Sequence, residues 1–572
     1  MRVDANAAPL TDCTSIANAM NDFFVNSGTS VLLSNPPSNS DPLTSVPNLK
    51  ETCTMLVRPC SLTEIISVMN NLKDSSAGSD KLKPKVIKNV RHEIAVPVLH
   101  LVNLSLRKGV FPDLLKEAIV TPIYKKGVKD LMSNYRPVSI LKVFAKILEK
   151  VMYSRVTDYV KAADILYDNQ FGFRQGHSTE MAVAEITSTI YNALNEKSCV
   201  IAVNMDLSKA FDTINHEILL RKLDKYGITG TASLWLRSYL SNRTQRVKHH
   251  DTISDAMQTS QGVPQGSNLG PLLFTIYVND FHRVNSKCKV VQYADDSNIL
   301  YTFKRNNPTT ISDINVFLVK YSDWFSSNDL SLNASKTNYM IFSGRKKMTL
   351  DGISINNTQI KQVSHANFLG IVIDDALTWK PHIQATQGKL SKSIGILRKA
   401  SKSLSRSILM TLFNSFVMSY LRYGLIIWGA APKSSLNSLY VLQKKAIKVA
   451  LQLGMRTPTI EVFRAAEVLT LPNLYKFQLS IFMFKYSSSL LPRCFNNYFE
   501  CNSIRHSHRT RSRQLYRLPL FTTTYCQQSI QFQGAKIWSN LSDATRSRPS
   551  TAAFKRALRT EFFQQQSVAV DW

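Results

Sequence analysis

Between Val290 and Tyr301 two apolar, β-prone runs flank an adjacent pair of acids: Val290-Val-Gln-Tyr293-Ala294-Asp295-Asp296-Ser297-Asn-Ile-Leu-Tyr301. Neighbouring side chains on a straight strand point to opposite faces. The two carboxylates therefore share a site only if the pair lies in a tight hairpin turn, and the flanking runs, Lys289–Gln292 and Asn298–Tyr301, predict that turn. Holding like charges together in largely apolar surroundings is costly without a cation. A divalent metal bound by oxygen ligands removes that cost.

A second run, Val200-Ile-Ala-Val-Asn-Met-Asp206-Leu-Ser-Lys-Ala-Phe211-Asp212, ends an apolar strand on Asp206 just before a turn and a helix. Functional groups often stand at such strand ends, although a capping or surface aspartate reads the same way. Asp206 with Asp295 and Asp296 would supply a two-metal site of the kind that drives phosphoryl transfer. Magnesium suits it, because it takes carboxylate and phosphate oxygens while keeping some waters. Asp374-Asp375, after the apolar run Phe368–Ile373, offers the same local picture, and the residues alone do not choose between the two pairs.

Around these acids the chain changes texture. Residues 1 to about 60, with SNPPSNSDPLTSVPN at 34–48, read as a linker after a short amphipathic helix near Ile16–Phe24. Leu62–Leu72 has helical spacing, Gly109 and Pro112 break the next helix, and Ala118–Tyr124 reads as a strand leading into the basic turn KKGVKD (125–130). From about 200 to 375 short β-branched runs appear (Cys199–Val203, Lys289–Gln292, Asn298–Tyr301, Asn338–Phe342, Phe368–Ile373). Among them lies a helix His216–Tyr226, expected to be capped by Asp212 and closed by Gly227. After about 380 the pattern is helical: Leu390, Ile394 and Leu397, then Leu404, Ile408, Leu412 and Phe416, with Lys and Arg on the other faces.

Charge adds a partner class. The net charge is +30, and from Ala376 onward 28 Lys/Arg stand against 6 Asp/Glu. Such a field attracts a polyanion in a salt-dependent way. No stretch approaches the ~20 apolar residues that cross a bilayer, and the first residues have no signal-peptide pattern. The expectation is a soluble intracellular chain working in nucleus and cytoplasm, with no membrane partner. The eight cysteines read as reduced thiols. Cys494, Cys501, His506, His508 and Cys526 fit no common zinc module in their spacing.

The motifs then name a family. QYADDSNIL (292–300) resembles the [FY]-x-D-D box of reverse transcriptases, MDLSKAFDTINHEILLRKL (205–223) their first catalytic motif, and SQGVPQGSNLGPLLFTIYVND (260–280) their second. NYRPVSILKVFAKILEKVMYSRV (134–156) and DNQFGFRQGHSTEMAV (168–183) look like the fingers blocks of jockey-like, LINE-type (non-LTR) elements. The resemblance spans about 60 to 430 in the family's order. It implies that Asp206, Asp295 and Asp296 bind two Mg²⁺ ions, with Mn²⁺ as a substitute, and that Phe211 is the steric gate against a 2′-hydroxyl. It implies that Gln265 and Gly266 pack against the nascent base pair and that Lys125 and Arg136 clamp the triphosphate. Lys336 would protonate the departing pyrophosphate, and Asp374-Asp375 falls to a structural or capping role. Asn268 stands where the family usually has an apolar residue, and Ser79 and Lys81 interrupt its usual G-P-D-G.

The implied fold class is α+β, a right-hand polymerase followed by a basic, mostly helical C-terminal region. The segments would be an N-terminal linker region (1–60), fingers (61–200), palm (201–379), helical thumb (380–455) and C-terminal region (456–572). The implied partners are template RNA, a DNA primer or target DNA, and dNTPs. The basic run Arg505–Arg513 would grip template, act as a nuclear address or be a solvated loop. Glu461, Glu467, Glu500, Asp543, Glu561 and Asp571 are too few for a four-carboxylate RNase H, and the upstream endonuclease usual in the family is not expected in this chain. Two other readings are a catalytically silent RNA-binding protein descended from such an element, and an intron-type maturase. The second shares the palm but not the LINE-type flanking blocks.

Overall fold

In chain order the first eleven strands are β1 (Glu117–Tyr124), β2 (Tyr135–Leu141), β3 (Ser198–Met205), β4 (Leu207–Ser208), β5 (Arg243–His249), β6 (Thr252–Ile253), β7 (Met257–Thr259), β8 (Cys288–Tyr293), β9 (Asp296–Lys304), β10 (Ser331–Leu332) and β11 (Asn338–Phe342). The structure is a computed structural model that describes residues 1–3, 8–32, 38, 40–49, 51–344, 346–502, 515–521 and 523–568. Helices and strands mix along the chain, so the class is α+β.

Strand periodicity explains where the core lies. The near-continuous apolar run of β3 is the pattern of a strand covered on both faces. Its alternate residues indeed enter two different cores: Cys199, Ile201, Val203 and Met205 one, Val200 and Ala202 the other. β11 divides in the same way, with Tyr339 and Ile341 against Met340 and Phe342. The sheet order is β11-β3-β9-β8, antiparallel throughout these four strands, with Lys361–Gln362 added parallel to β11. A second sheet, β2-β1-β5-β6 with β7 also on β5, pairs β1 antiparallel to β2 and parallel to β5.

The helix Thr179–Asn195 lies on the far face of the central sheet, against β3 and β8. Its residues Met181–Ser188, Ile190, Tyr191, Ala193 and Leu194 are all buried, the signature of a helix enclosed on every side. The C-terminal region supplies the other cover. Tyr498 donates to Glu185, and the Cys526 thiol lies 3.7 Å from the Tyr191 carbonyl.

Several expectations need correcting. Helix α1 runs Cys13–Leu32, not just Ile16–Phe24, and packs on β5, β6 and β7 through Ile16, Met20 and Phe24. The segment read as a linker is partly packed, with Leu43, Val46, Met55 and Cys60 buried in the main core; four apolar side chains among Ser, Asn and Pro suffice to anchor it. The helix His216–Lys225 is capped by Asn215, whose Oδ1 accepts from the Glu217 and Ile218 amides, and not by Asp212. Gly227 closes it at φ +85°.

Phe368–Ile373 is not one strand. Leu369 and Gly370, both at positive φ, turn it into a hairpin of His365–Phe368 and Ile371–Asp374, as a two-residue loop requires. Beyond 380, Leu390, Ile394 and Leu397 are buried as expected, but the next helix, Arg406–Phe413, buries Leu409 and Phe413. Ile408 and Phe416 are exposed. Leu404 precedes that helix, so counting from it runs one residue out of register, and a π turn at Asn414–Met418 shifts the phase again. Cys494 and Cys526 are free thiols. His506, His508 and the run Arg505–Arg513 lie outside the described residues. No helix among the described residues is long and apolar enough to cross a membrane.

Candidate active site

The flanking runs form the expected hairpin, but only Asp295 lies in its turn, and Asp296 already belongs to the returning strand. β8 and β9 pair out to Tyr293 opposite Asp296, leaving Ala294-Asp295 as a two-residue turn with Ala294 at φ +56°. On the other side β9 pairs with β3 out to Met205 opposite Ser297. Asp206 and Asp296 flank that last pair, and the Asp206 charge is felt at Asp296. Asp206 and Asp296 thus stand at two adjacent strand ends, with Asp295 in the turn between β8 and β9.

Their electrostatics agree with that crowding. Burial raises the Asp295 carboxyl, and Asp206 raises it further, while Arg136 and Lys125 oppose. Desolvation first, then repulsion by Asp295 and Asp206, pushes Asp296 up to about 6. Lys336, placed by the turn after β10, donates from Nζ to Asp206 Oδ2 at 3.0 Å. Among the described residues no three His, Cys, Asp or Glu side chains draw together closely enough to hold a metal ion. The donor chemistry nonetheless suits one: three oxygen ligands, two of them raised by burial and then by their acidic neighbours, and a carboxylate already drawing a cationic group.

The hairpin β1–β2 carries the other cations. Lys125 follows β1 and its amide donates to the Asn134 carbonyl at 2.8 Å; Arg136 pairs with Ile123 across the strands. Desolvation lowers the Lys125 ammonium, followed by its positive neighbours Arg136, Lys336 and Lys126, with Asp206 acting the other way. Lys125, Arg136 and Lys336 therefore share one field with the acids. Phe211 is half-buried, stacked on Phe274 at 4.5 Å between ring centroids and met edge-on by Phe173 at 5.9 Å.

Gln265 and Gly266 are fixed against β2. The Gln265 carbonyl accepts from the Ser139 amide at 2.8 Å, and Gly266, at φ +139°, has no space for a Cβ beside the Ser139 carbonyl. Asp212, expected as a cap, instead accepts from Gln265 Nε2 at 2.8 Å, and burial raises its carboxyl. Asn268 fits its unusual place by donating from its side chain to the Lys146 carbonyl, while its amide donates to the buried Glu149. Asp374 accepts from the Thr378 and Trp379 amides and the Thr378 hydroxyl, a structural tie on the turn just before the helix Lys380–Ala400. That leaves the pair at 295–296 as the one facing Asp206.

Sequence reasoning missed the support beneath the hairpin. Gln170, fully buried, accepts through Oε1 from the amides of Gly172 (2.8 Å) and Ala294 (3.2 Å). The Phe171 amide donates to the Gln292 carbonyl and the Gln292 amide to Asn169. Gly172 lies so close to the turn that a Cβ would stand 2.9 Å from Ala294 Cα. The available signal was a glycine between two phenylalanines in QFGF, a place where backbone must approach backbone.

Residues 123–373 match the family model described as reverse transcriptase (RNA-dependent DNA polymerase). The chain is 31% identical over 414 residues to the probable RNA-directed DNA polymerase from transposon BS of Drosophila melanogaster, covering 68% of this chain and 44% of that protein. The chain carries a reverse transcriptase domain of the non-LTR kind. This reverse transcriptase is also 27% identical over 401 residues to the RNA-directed DNA polymerase from the mobile element jockey of Drosophila melanogaster, covering 68% of this chain and 43% of that one. A third relative is the Pol polyprotein from the type-1 retrotransposable element R2 of Popillia japonica, 26% identical over 297 residues, or 49% and 39% of the two chains. The reverse transcriptase chain spans less than half the length of these curated relatives.

Proposed function

We propose that this chain is an RNA-directed DNA polymerase of a non-LTR retrotransposon, extending a DNA 3′-hydroxyl on an RNA template with dNTPs. The observation that carries the reading is the register that ends on Met205 opposite Ser297, so that Asp206 and Asp296 flank one pair beside the turn that holds Asp295. In it the β1–β2 sheet serves as fingers, the central sheet as palm, and the helices from Lys380 as a thumb whose Lys and Arg faces meet phosphates.

Asp206, Asp295 and Asp296 would hold Mg²⁺, which when bound activates the 3′-hydroxyl and neutralises triphosphate charge. Lys125 and Arg136 bind the triphosphate, Arg136 offering the planar fork that suits phosphate oxygens. Phe211, braced by Phe274 and Phe173, closes the space beneath the incoming sugar and excludes a 2′-hydroxyl. Gln265, tied to Asp212 and Ser139, positions the pairing base, and Gly266 lets the backbone come close. Lys336 carries a proton on Nζ next to Asp206 and delivers it to the departing pyrophosphate, a form of help worth roughly 10²–10⁴-fold in rate.

The second reading, a silent RNA-binding protein, draws on the failure of the three carboxylates to draw together and on the Lys336 ion pair at Asp206. Primer extension on poly(rA)–oligo(dT) with Mg²⁺, wild type against Asp295→Ala, separates the two. Extension that vanishes in the variant is the expected result. Folded wild-type protein that binds the duplex and never extends it would leave the binding-protein reading standing.

A further inference from the structure

Outside the segment matched by the family model, the last helix, Thr551–Val568, is flanked by two clefts that share Gln566. One, of about 650 Å³, lies against the helix Thr459–Ala466 and is lined by Arg464, Arg556, Arg559, Glu467 and Phe563. The other, of about 590 Å³, lies against the helices Leu471–Ser487 and Ile530–Ser539 and is lined by Lys476, Lys536, Asn473 and Gln533, among others. Glu467 is the one carboxylate in the two linings.

Most of these cations are not consumed by the fold. Arg559 donates to the Glu467 carbonyl and lies over the Phe563 ring at 5.4 Å. The side chains of Arg464, Arg556, Lys476 and Lys536 make no ion pair among the described residues, and Arg464, Arg556 and Lys536 are exposed. Arg422, from the preceding helices, is lowered by desolvation and by the like charge of Arg559. A structural role for so much positive charge would bring carboxylates with it, and these clefts have almost none. Guanidinium groups beside an aromatic ring, followed by lysines and side-chain amides, offer phosphate contacts, a stacking platform and base-edge donors in sequence.

We propose that the two clefts form one track for a single-stranded polynucleotide, crossing the end of the helix Thr551–Val568 apart from the acidic hairpin. Arg464, Arg556 and Lys536 neutralise successive phosphates, and a base stacks on the Arg559–Phe563 pair. The proposal does not rest on polymerisation, because the track would bind whether or not the chain extends a primer.

The test is anisotropy titration of the full chain, without dNTPs, using labelled 20-mers of oligo(U) and oligo(dT) at 50 to 200 mM salt. The variant is Arg464→Gln/Arg556→Gln/Lys536→Gln, with Arg464→Lys/Arg556→Lys/Lys536→Arg as its charge-preserving counterpart. Three lost phosphate contacts on a single strand should lower the salt slope by about 2, so that wild-type affinity falls about 20-fold more than the variant's across that range. The charge-preserving variant should keep the wild-type slope. Equal loss on both oligonucleotides marks a phosphate track, and loss on oligo(U) alone marks one that also reads the 2′-hydroxyl. Unchanged affinity and slope in a variant that melts like wild type would overturn the proposal. Retained binding to both oligonucleotides with lost binding to phosphatidylserine vesicles would overturn it too, and assign the clefts to a membrane surface.

Discussion

Gly172→Ala tests whether the acidic hairpin owes its position to the backbone beneath it. The new Cβ would stand 2.9 Å from Ala294 Cα and 3.0 Å from the Tyr293 carbonyl carbon, and nearer still to the Ala294 amide nitrogen. Ordinary contact begins near 3.4 Å, and every atom facing the methyl is backbone, so no side-chain rotation can absorb the conflict. The contact with the Ala294 amide nitrogen sets the demand, and the hairpin and the Gln170–Gly172 segment must separate by roughly 1 Å, carrying Asp295 and Asp296 with them. A misplacement of about 1 Å at a reacting centre costs roughly 10²-fold in rate, or about 2.7 kcal/mol in the barrier.

The assay is steady-state dTTP incorporation on poly(rA)–oligo(dT), with thermal melting in parallel. The expected result is kcat lowered about 100-fold with the chain still folded. Gly388→Ala is the companion: it lies in the helix Lys380–Ala400 with nothing within 4 Å of its Cβ, so it should raise Tm, since alanine favours a helix interior by about 1 kcal/mol over glycine. A folded Gly172→Ala enzyme with kcat within threefold of wild type would refute the claim that this contact sets the acids.

Other outcomes follow from the same geometry. Phe211→Ala should cut the preference for dNTPs over rNTPs by roughly 10–200-fold, the range available to a purely steric pocket, read as the ratio of kcat/KM values. Lys222→Met should lower stability by about 3–5 kcal/mol, because it strands the fully buried Asp280 that now accepts from Lys222 Nζ at 2.6 Å; urea unfolding reads it. Glu180 is held up to about 7 by burial, above its ordinary 4.5, with Oε1 unpartnered. A carboxyl raised in the folded state stabilises fully below its unfolded pKa and loses that contribution as pH rises through the folded one. Wild type should therefore lose up to about 3 kcal/mol between pH 4.5 and 7 that Glu180→Gln does not lose, visible as pH-dependent Tm values that diverge between the two proteins.

How much of this was legible depended on how local the cause was. The hairpin carrying Asp295 and Asp296 was readable because two apolar runs on either side of a short acidic gap fix it without outside help, although its turn lies one residue earlier, at Ala294-Asp295. Gly109 and Gly227 announced their helix ends for the same reason. Asp212 and Asn215 could not be ranked as caps, since both are short polar residues near one helix start; Asp212 is withdrawn only because Gln265, 53 positions away, engages it. The choice between Leu409 and Ile408 as the buried residue turned on where the helix starts, at Arg406 rather than at Leu404, and the π turn that follows at Asn414–Met418 is a second break in phase that no apolar spacing records. Gln170 was invisible for a further reason: a buried glutamine earns its place through two backbone amides that meet only after the chain has folded.

The enclosed helix Thr179–Asn195 has a consequence for how such a protein is inherited. One of its sides belongs to the sheet that bears the acids, and its other side is sealed by segments arriving more than 300 residues later. A tail attached in this way cannot be swapped like a bead on a string, because exchanging it would leave the middle of the chain half bare. Recombination that trades tails should succeed only where the helix face travels with its cover, so the two ought to share one ancestry along the lineage even when their surfaces diverge.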